Sequence, residues 1–227
     1  MIFRSKKRNC LFSTDLRING QTITRVESTR FLGVIIDEHL TWREHINTVK
    51  NKTSRGLGVI CKARKLLNVS TIVSLYYAFI YPYLMYCIEV WGGALSSYKD
   101  VLIKIQKKIV RVMVSASYYA HTSPIFKKLN IMTLDKMYNY FICIFMFKVV
   151  KHIHPQIFDS MFMQNKNIHN YGTRHAESYC TLIAKTNLMK NSLRCAGVAI
   201  WNKYMLLIDC NCTLNCFKSR IKQCLLQ

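Results

Sequence analysis

The spacing of apolar residues changes within five residues of Asp37, and this change limits the possible folds. The segment 31–37, FLGVIID, is a nearly continuous β-branched apolar run, which is typical of a strand covered on both faces. The following Thr41-Trp-Arg-Glu44 has the pattern of a capping box, which begins a helix. Most apolar residues after it recur at helical spacing. We therefore predict a mainly α fold with a small N-terminal antiparallel β hairpin and strand.

A hairpin is predicted just before this strand. Asn19-Gly20 lies between alternating apolar positions in the segment 16–23, and this dipeptide favours a two-residue hairpin turn. Gly33, within the predicted strand, leaves room for another backbone or a bound polymer to approach closely. Asp37 and Glu38 form the only adjacent acidic pair, and their place between a strand and a helix indicates a turn or capping role.

Two predicted amphipathic helices carry the candidate binding residues. One begins near Trp42, where Gly56 and Gly58 predict a bend or a tight packing contact, and the other covers 100–114. Charged faces are usually just solvated, but faces almost free of acidic residues also suit phosphate binding. The candidate phosphate contacts are Arg43, Lys50, Lys52 and Arg55 in the first helix and Lys104, Lys107, Lys108 and Arg111 in the second.

The segment 69–88 contains no charged residue, and its length is sufficient to span a bilayer. Its five tyrosines and a central Pro82 favour a buried core helix that breaks near the proline, with a membrane span as the alternative. Farther along, Thr122-Ser-Pro124 predicts a helix start with a hydroxyl cap, and 134–151 predicts a largely buried helix. The last helix has its apolar face at Leu214, Phe217, Ile221 and Leu225.

The segment 164–185 predicts a polar loop. Tyr171, Arg174 and His175 in this loop suit base stacking and phosphate contacts, although an ordinary surface loop explains them equally well.

The charge balance indicates a polyanionic partner. Lys and Arg number 33 and Asp and Glu number 11, which leaves a net charge of +22. A domain this basic usually binds nucleic acid, although an anionic membrane surface or no partner at all are alternatives.

Ten cysteines at irregular spacing predict mostly buried free thiols in a reducing compartment. Cys210, Cys212, Cys216 and Cys224, with nearby histidines, do not match a standard zinc spacing, so we predict no metal there.

Several short motifs together resemble one protein family. Ile18-Asn-Gly20, the segment 31–37, Leu40-Thr-Trp42 and His45-Ile46 look like the segment after the catalytic core in reverse transcriptases of LINE-type non-LTR retrotransposons. Further landmarks resemble the same family in the same order, namely 76–92, 102–111, 121–124, 169–174, Trp201-Asn202 and Phe217-Lys218.

The resemblance implies a domain organisation. Residues 1–40 correspond to the end of the palm, with a primer-grip-like element at Phe31, Leu32 and Gly33. Residues 41–130 correspond to a helical, thumb-like bundle, and residues 131–227 to a C-terminal extension. The family's metal-binding aspartates belong to motifs upstream of this segment, including an aromatic-x-Asp-Asp turn that this sequence lacks. We therefore expect no catalytic residue and no cofactor on this chain, although the parent family uses Mg²⁺.

The resulting hypothesis is a truncated reverse transcriptase fragment that binds RNA or an RNA–DNA duplex through its basic helices. The missing catalytic part of the polymerase is a further expected partner, and a nuclear or cytoplasmic location rather than secretion is expected. The alternative is a translated transposon remnant without a function of its own, in which the apolar flank of 31–36 is exposed.

Overall fold

The computed structural model describes residues 1–4, 16–168, 176–205 and 211–226. Two small antiparallel hairpins precede a series of helices that share one hydrophobic cluster, which confirms the predicted fold class. The strands are β1 (Arg17–Ile18), β2 (Gln21–Thr22), β3 (Ser28–Phe31) and β4 (Val34–Asp37). The helices are α1 (Arg43–Ala63), α2 (Val69–Phe79), α3 (Tyr81–Met85), α4 (Ile88–Trp91), α5 (Ser96–Met113), α6 (Thr122–Leu129), α7 (Leu134–Val150), α8 (Asn187–Lys190), α9 (Val198–Met205) and α10 (Leu214–Leu226).

The first hairpin forms where the sequence predicts it. Asn19 and Gly20 both have positive φ, 49° and 79°, as the tight turn between β1 and β2 requires.

The prediction of one buried strand over 31–37 is wrong. Leu32 and Gly33 have φ of 46° and 83° and form the turn of a second hairpin, in which Phe31 of β3 faces Val34 of β4. The segment is not covered on both faces, because Phe31 is 60% exposed and Leu32 74% exposed, whereas Val34 is buried. The positive φ of Gly33 gives this glycine a turn role rather than the predicted role within a strand.

The predicted capping box at the start of α1 is also wrong. Trp42 is the N-cap residue, and no side chain caps it from that position. Instead Asp37 accepts hydrogen bonds from the backbone N–H of His39, Thr41 and Trp42, and from the Thr41 hydroxyl. The predicted turn and capping role of Asp37 is thereby confirmed. One carboxylate, five residues before the N-cap, fixes the path of the chain into the helix.

The uncharged segment 69–88 breaks where its proline predicts. Helix α2 ends at Phe79, Pro82 lies in the first turn of α3, and Ile72, Tyr76 and Leu84 are buried in the core. Within the residues that the structure describes, no helix has the length and apolar character that a membrane span needs.

Helix α1 runs without interruption through both glycines and packs against α5 and α2. A Cβ atom on Gly56 would lie 2.7 Å from Ile80 Cγ1 and 3.0 Å from the Phe79 carbonyl oxygen. Gly58, two residues later, faces open space. Only Gly56 therefore makes the tight packing contact.

Gln106 connects three parts of the core. Its buried side-chain amide donates to the Tyr76 hydroxyl at 3.0 Å and to the Met132 carbonyl at 2.9 Å, while its oxygen accepts from the Leu134 N–H at 2.9 Å. The same burial raises the pKa of Tyr76, although the hydrogen bond from Gln106 opposes this rise. The buried amide joins α2, α5 and the start of α7.

The later helices lie where the sequence predicts them. Helix α7 is largely buried, and Phe147 stacks on Phe217 of α10 with ring centroids 4.3 Å apart. Phe217, Ile221 and Leu225 are buried, which confirms the predicted apolar face of the last helix. The predicted hydroxyl cap of α6 is wrong, because His121 is the N-cap residue and makes no side-chain cap.

The loop predicted over 164–185 contains ordered contacts in its described parts. Gln164 and Tyr179 form an isolated antiparallel bridge, and the Asn202 side chain exchanges two hydrogen bonds with the Tyr179 backbone. The predicted base-stacking residues Tyr171, Arg174 and His175 lie outside the described residues, as does Cys210.

The cysteines only partly match their prediction. Of the eight that the structure describes, only Cys143 and Cys195 are buried, and Cys61 is exposed. The other five are half-buried, and of these only Cys216 and Cys224 lie in a helix, α10.

Replacement of Gly56 by Ala is expected to lower the free energy of unfolding by about 1 to 3 kcal/mol, because the added methyl group overpacks the contact with Ile80. The matched control is Gly58→Ala, which has space and is expected to raise it by about 0.5 to 1 kcal/mol through helix propensity. Urea denaturation followed by circular dichroism measures both values. Equal effects of the two substitutions would show that Gly56 does not make this contact.

Replacement of Gln106 by Ala is expected to lower the free energy of unfolding by about 3 kcal/mol, because it leaves three buried polar groups without their partner. The exposed Gln223 of α10 provides the control, since Gln223→Ala is expected to change stability by less than about 0.5 kcal/mol. The measurement is again urea denaturation, and similar values for the two variants would rule out the network as a stabilising element.

Candidate nucleic-acid interface

Helix α5 presents its basic residues as one stripe. Lys104, Lys107, Lys108 and Arg111 follow the i, i+3, i+4, i+7 spacing of a single helix face, opposite the buried Leu102 and Ile109. The three lysines are exposed. Arg111 is half-buried, and its Nε donates to the Ala120 carbonyl at 2.9 Å, which ties the loop after α5 to the helix.

The basic residues of α1 lie around its solvent side and not on one stripe. Arg43, Lys52 and Arg55 are exposed and Lys50 is half-buried. At 3.6 residues per turn, Lys52 lies about 160° around the helix from Lys50. The Lys52 ammonium also lies over the Tyr83 ring, 5.1 Å from its centroid. The eight predicted contacts therefore form a continuous stripe only on α5.

Further exposed residues that sequence reasoning did not select lie in the same part of the chain as the basic stripe. No acidic residue occurs between Asp100 and Asp135, a span that covers nearly all of α5, the next loop and α6. Tyr118 and Tyr119 in the loop are 73% and 87% exposed, and Lys127 and Lys128 are exposed in the last turn of α6. The long interval without Asp or Glu is the sequence feature that could have identified these residues.

The three residues that the family resemblance predicts to be primer-grip-like lie at the tip of the second hairpin. The Tyr86 hydroxyl donates to the Leu32 carbonyl at 2.6 Å, and the same ring lies against Gly33, where a Cβ atom would be 3.3 Å from Cε1. The apolar side chains of Phe31 and Leu32 point into solvent. The tip is thus held to the helical part by a polar contact while its apolar groups remain uncovered.

His45 joins the second hairpin to α1. Its buried ring accepts a hydrogen bond from the Ile35 N–H at Nδ1, 3.3 Å away, and lies 5.6 Å from the Trp91 ring. Burial, with smaller contributions from Lys52 and Arg30, lowers the pKa of His45 from 6.5 to about 4. The Nε2 atom is buried without a hydrogen-bond partner. The lowered pKa favours the neutral form of the ring.

The adjacent acidic pair does not fit a Mg²⁺ site. Asp37 is engaged by the turn before α1, and the buried Glu38 carboxylate is bound by Arg4 at 3.0 Å and Arg25 at 2.6 Å. The hydrogen bonds from these guanidinium groups lower the pKa of Glu38 from 4.5 to about 2. Both carboxylates thus have protein partners, whereas Mg²⁺ needs free oxygen ligands.

About half of the chain is similar to retrotransposon polymerases. The RNA-directed DNA polymerase from mobile element jockey of Drosophila funebris is 28% identical over 126 residues, which are 54% of this chain and 13% of that polymerase. The jockey polymerase of Drosophila melanogaster is 28% identical over 127 residues, which are 54% of this chain and 14% of the relative. This half of the chain is thus similar to LINE-type retrotransposon reverse transcriptases.

A third relative belongs to the same group. A probable RNA-directed DNA polymerase from transposon BS of Drosophila melanogaster is 24% identical over 127 residues, 53% of this chain and 14% of that protein. Each match thus covers only 13–14% of these reverse transcriptases. No family model and no solved structure matches the chain.

The free energy of unfolding is expected to depend on pH through His45, which joins the second hairpin to α1. Its pKa is lower in the folded state, so the unfolded chain binds more protons below pH 6.5, and stability falls as the pH decreases from 6.5 to about 4. Thermal unfolding at several pH values is expected to show a smaller decrease for His45→Gln than for the unsubstituted chain. His121→Gln, at an exposed histidine, should leave the decrease unchanged; a decrease of the same size in His45→Gln would contradict this assignment.

Proposed function

We propose that this chain is a non-catalytic part of a LINE-type reverse transcriptase that binds RNA or an RNA–DNA duplex without sequence specificity. The observation that carries the proposal is the exposed basic stripe of α5 within an interval free of acidic residues. Neighbouring lysines on consecutive turns, with no carboxylate between them, attract phosphates and release the counterions of the nucleic acid. The relationship to RNA-directed DNA polymerases supports nucleic acid as the polyanion.

The chemistry of the basic side chains indicates which role each has in the proposed phosphate contacts. Lys104, Lys107 and Lys108 provide mobile charges for phosphates, and Arg111 adds charge while it holds the adjoining loop. On α1, Arg43, Lys50, Lys52 and Arg55 provide a second, less regular set of charges. Flexible lysines without base-reading partners bind backbone phosphates and give little sequence preference.

The exposed hairpins favour an additional partner. Ile18, Phe31 and Leu32 are each more than half exposed, and neighbouring exposed apolar side chains, such as Phe31 and Leu32, mark interaction sites. We propose that the catalytic part of the polymerase covers them, with the catalytic residues and Mg²⁺ in that part. The same exposure is compatible with the alternative of a translated remnant, for which uncovered apolar surface causes aggregation.

A salt titration tests nucleic-acid binding. Replacement of Lys104, Lys107 and Lys108 by Ala is expected to reduce the slope of log K against log salt for an RNA–DNA duplex by about 2 to 3, because each phosphate contact contributes about 0.7 to 0.9. The control replaces the exposed Lys185, Lys190 and Lys203 by Ala, which removes the same charge from the C-terminal part. Fluorescence anisotropy at several salt concentrations measures both slopes.

Two outcomes of this titration oppose the proposal. An equal loss of slope in the two triple variants shows that net charge, and not the α5 stripe, attracts the duplex. Weak binding of the unsubstituted chain that does not respond to salt favours the remnant.

A further inference from the structure

The segment after α7 brings together two histidines and an aspartate. His152 Nδ1 lies 3.0 Å from Asp159 Oδ1, and His154 Nε2 lies 3.5 Å from the same oxygen. One ligand atom from each of the three side chains lies within 4.8 Å of the other two. Within the described residues, this is the one group of three or more His, Cys, Asp or Glu with such spacing.

The distances from the Asp159 oxygen to the two histidine nitrogens fit a bound metal ion. Ligand atoms around a tetrahedral Zn²⁺ with bonds near 2.0 Å lie about 3.3 Å apart. The distances of 3.0 Å and 3.5 Å to the Asp159 oxygen lie on either side of this value. His152 is 77% exposed, so its ring can rotate to complete the third separation without disturbing the core.

The hydrogen bonds of His154 present one ring nitrogen as a ligand. Its side chain is only 4% exposed, and Nδ1 lies 2.7 Å from the Pro155 carbonyl, which accepts a hydrogen bond from the tautomer that carries its N–H on Nδ1. Nε2 faces two further oxygen atoms, the Val149 carbonyl at 3.2 Å and Asp159. In the neutral tautomer with its N–H on Nδ1, the lone pair of Nε2 can bind a cation that lies between Nε2 and the Asp159 oxygen. Donation of the other ring N–H to a carbonyl is the usual arrangement of a metal-binding histidine.

The C-terminal end of α7 adds an electrostatic attraction for a cation at this cluster. Val149 is the next-to-last residue of this 17-residue helix, and the C-terminal end of a helix carries partial negative charge that attracts cations. Lys148 and Lys151 lie close to the site in sequence, and their positive charges oppose the binding of a metal cation. The Lys151 ammonium, however, lies over the Phe147 ring, 5.9 Å from its centroid.

We propose that His152, His154 and Asp159 bind a divalent transition-metal ion, with Zn²⁺ the best fit. Two imidazoles and one carboxylate suit zinc, whereas Mg²⁺ and Ca²⁺ prefer oxygen ligands. The ion replaces the direct contact of His152 with Asp159 and fastens the short 3₁₀ helix Gln156–Met161 to the end of α7. Three protein ligands leave a coordination position for water. This site contains none of the C-terminal cysteines, for which no metal is predicted, and does not depend on nucleic-acid binding.

Metal titration of the full chain tests the site. Addition of Zn²⁺ to chelator-treated protein is expected to raise the melting temperature in a concentration-dependent manner, because the ion binds the folded state. His152→Ala and Asp159→Asn change exposed side chains, so both variants are expected to fold and to bind Zn²⁺ at least about tenfold more weakly. His121→Ala, at an exposed histidine outside the cluster, provides the matched control.

Co²⁺ as a spectroscopic probe distinguishes this site from the cysteines. Binding to the proposed ligands gives visible d–d bands without the thiolate charge-transfer absorption that cysteine ligands produce. The proposal is overturned if Zn²⁺ leaves the melting temperature unchanged, if His152→Ala binds as tightly as His121→Ala, or if the thiolate absorption appears. In the first case the cluster is an ion pair between His152 and Asp159.

Discussion

The buried amide of Gln106 is the interaction on which the orientation of α5 depends. Its three hydrogen bonds reach Tyr76 in α2 and the backbone at Met132 and Leu134, so the amide has its partners in only one register of the helices. Buried polar groups are costly without partners, and the network therefore opposes rotation or sliding of α5. Lys107 and Lys108 follow Gln106 directly in sequence, and this register keeps them on the solvent side. The core contact and the proposed phosphate contacts thus depend on the same helix orientation.

The hairpins are attached to this helical part mainly through polar contacts. Tyr86 binds the tip of the second hairpin and His45 binds its last strand, while Glu38 pairs with Arg4 and Arg25 within the N-terminal part itself. Few large apolar side chains of the hairpins enter the core, and Phe31 and Leu32 remain exposed. An arrangement of this kind suits a segment that shares its apolar surface with another part of a larger polymerase.

Sequence reasoning predicts the later helices better than the N-terminal part, for physical reasons. Helices α7 and α10 repeat apolar residues over several turns, so each additional turn supports the same assignment. The segment 31–37 contains only one interruption, Gly33, and a Leu-Gly turn is not among the usual hairpin dipeptides. The Thr41 capping box fails because Asp37, four residues earlier, supplies the acceptor by tertiary geometry. In the same way, the α5 stripe follows from helical spacing, whereas the convergence of His152, His154 and Asp159 requires the fold of the turn after α7.

One face of α5 packs in the core, and we propose that the opposite face binds nucleic acid. Lysine acetylation of the purified chain, quantified by mass spectrometry with and without an RNA–DNA duplex, tests it most directly. Lys104, Lys107 and Lys108 are expected to react several times more slowly in the presence of the duplex, while the exposed Lys185 and Lys190 react at unchanged rates. Equal acetylation of the α5 lysines in the two samples, under conditions where the duplex is bound, would contradict the claim.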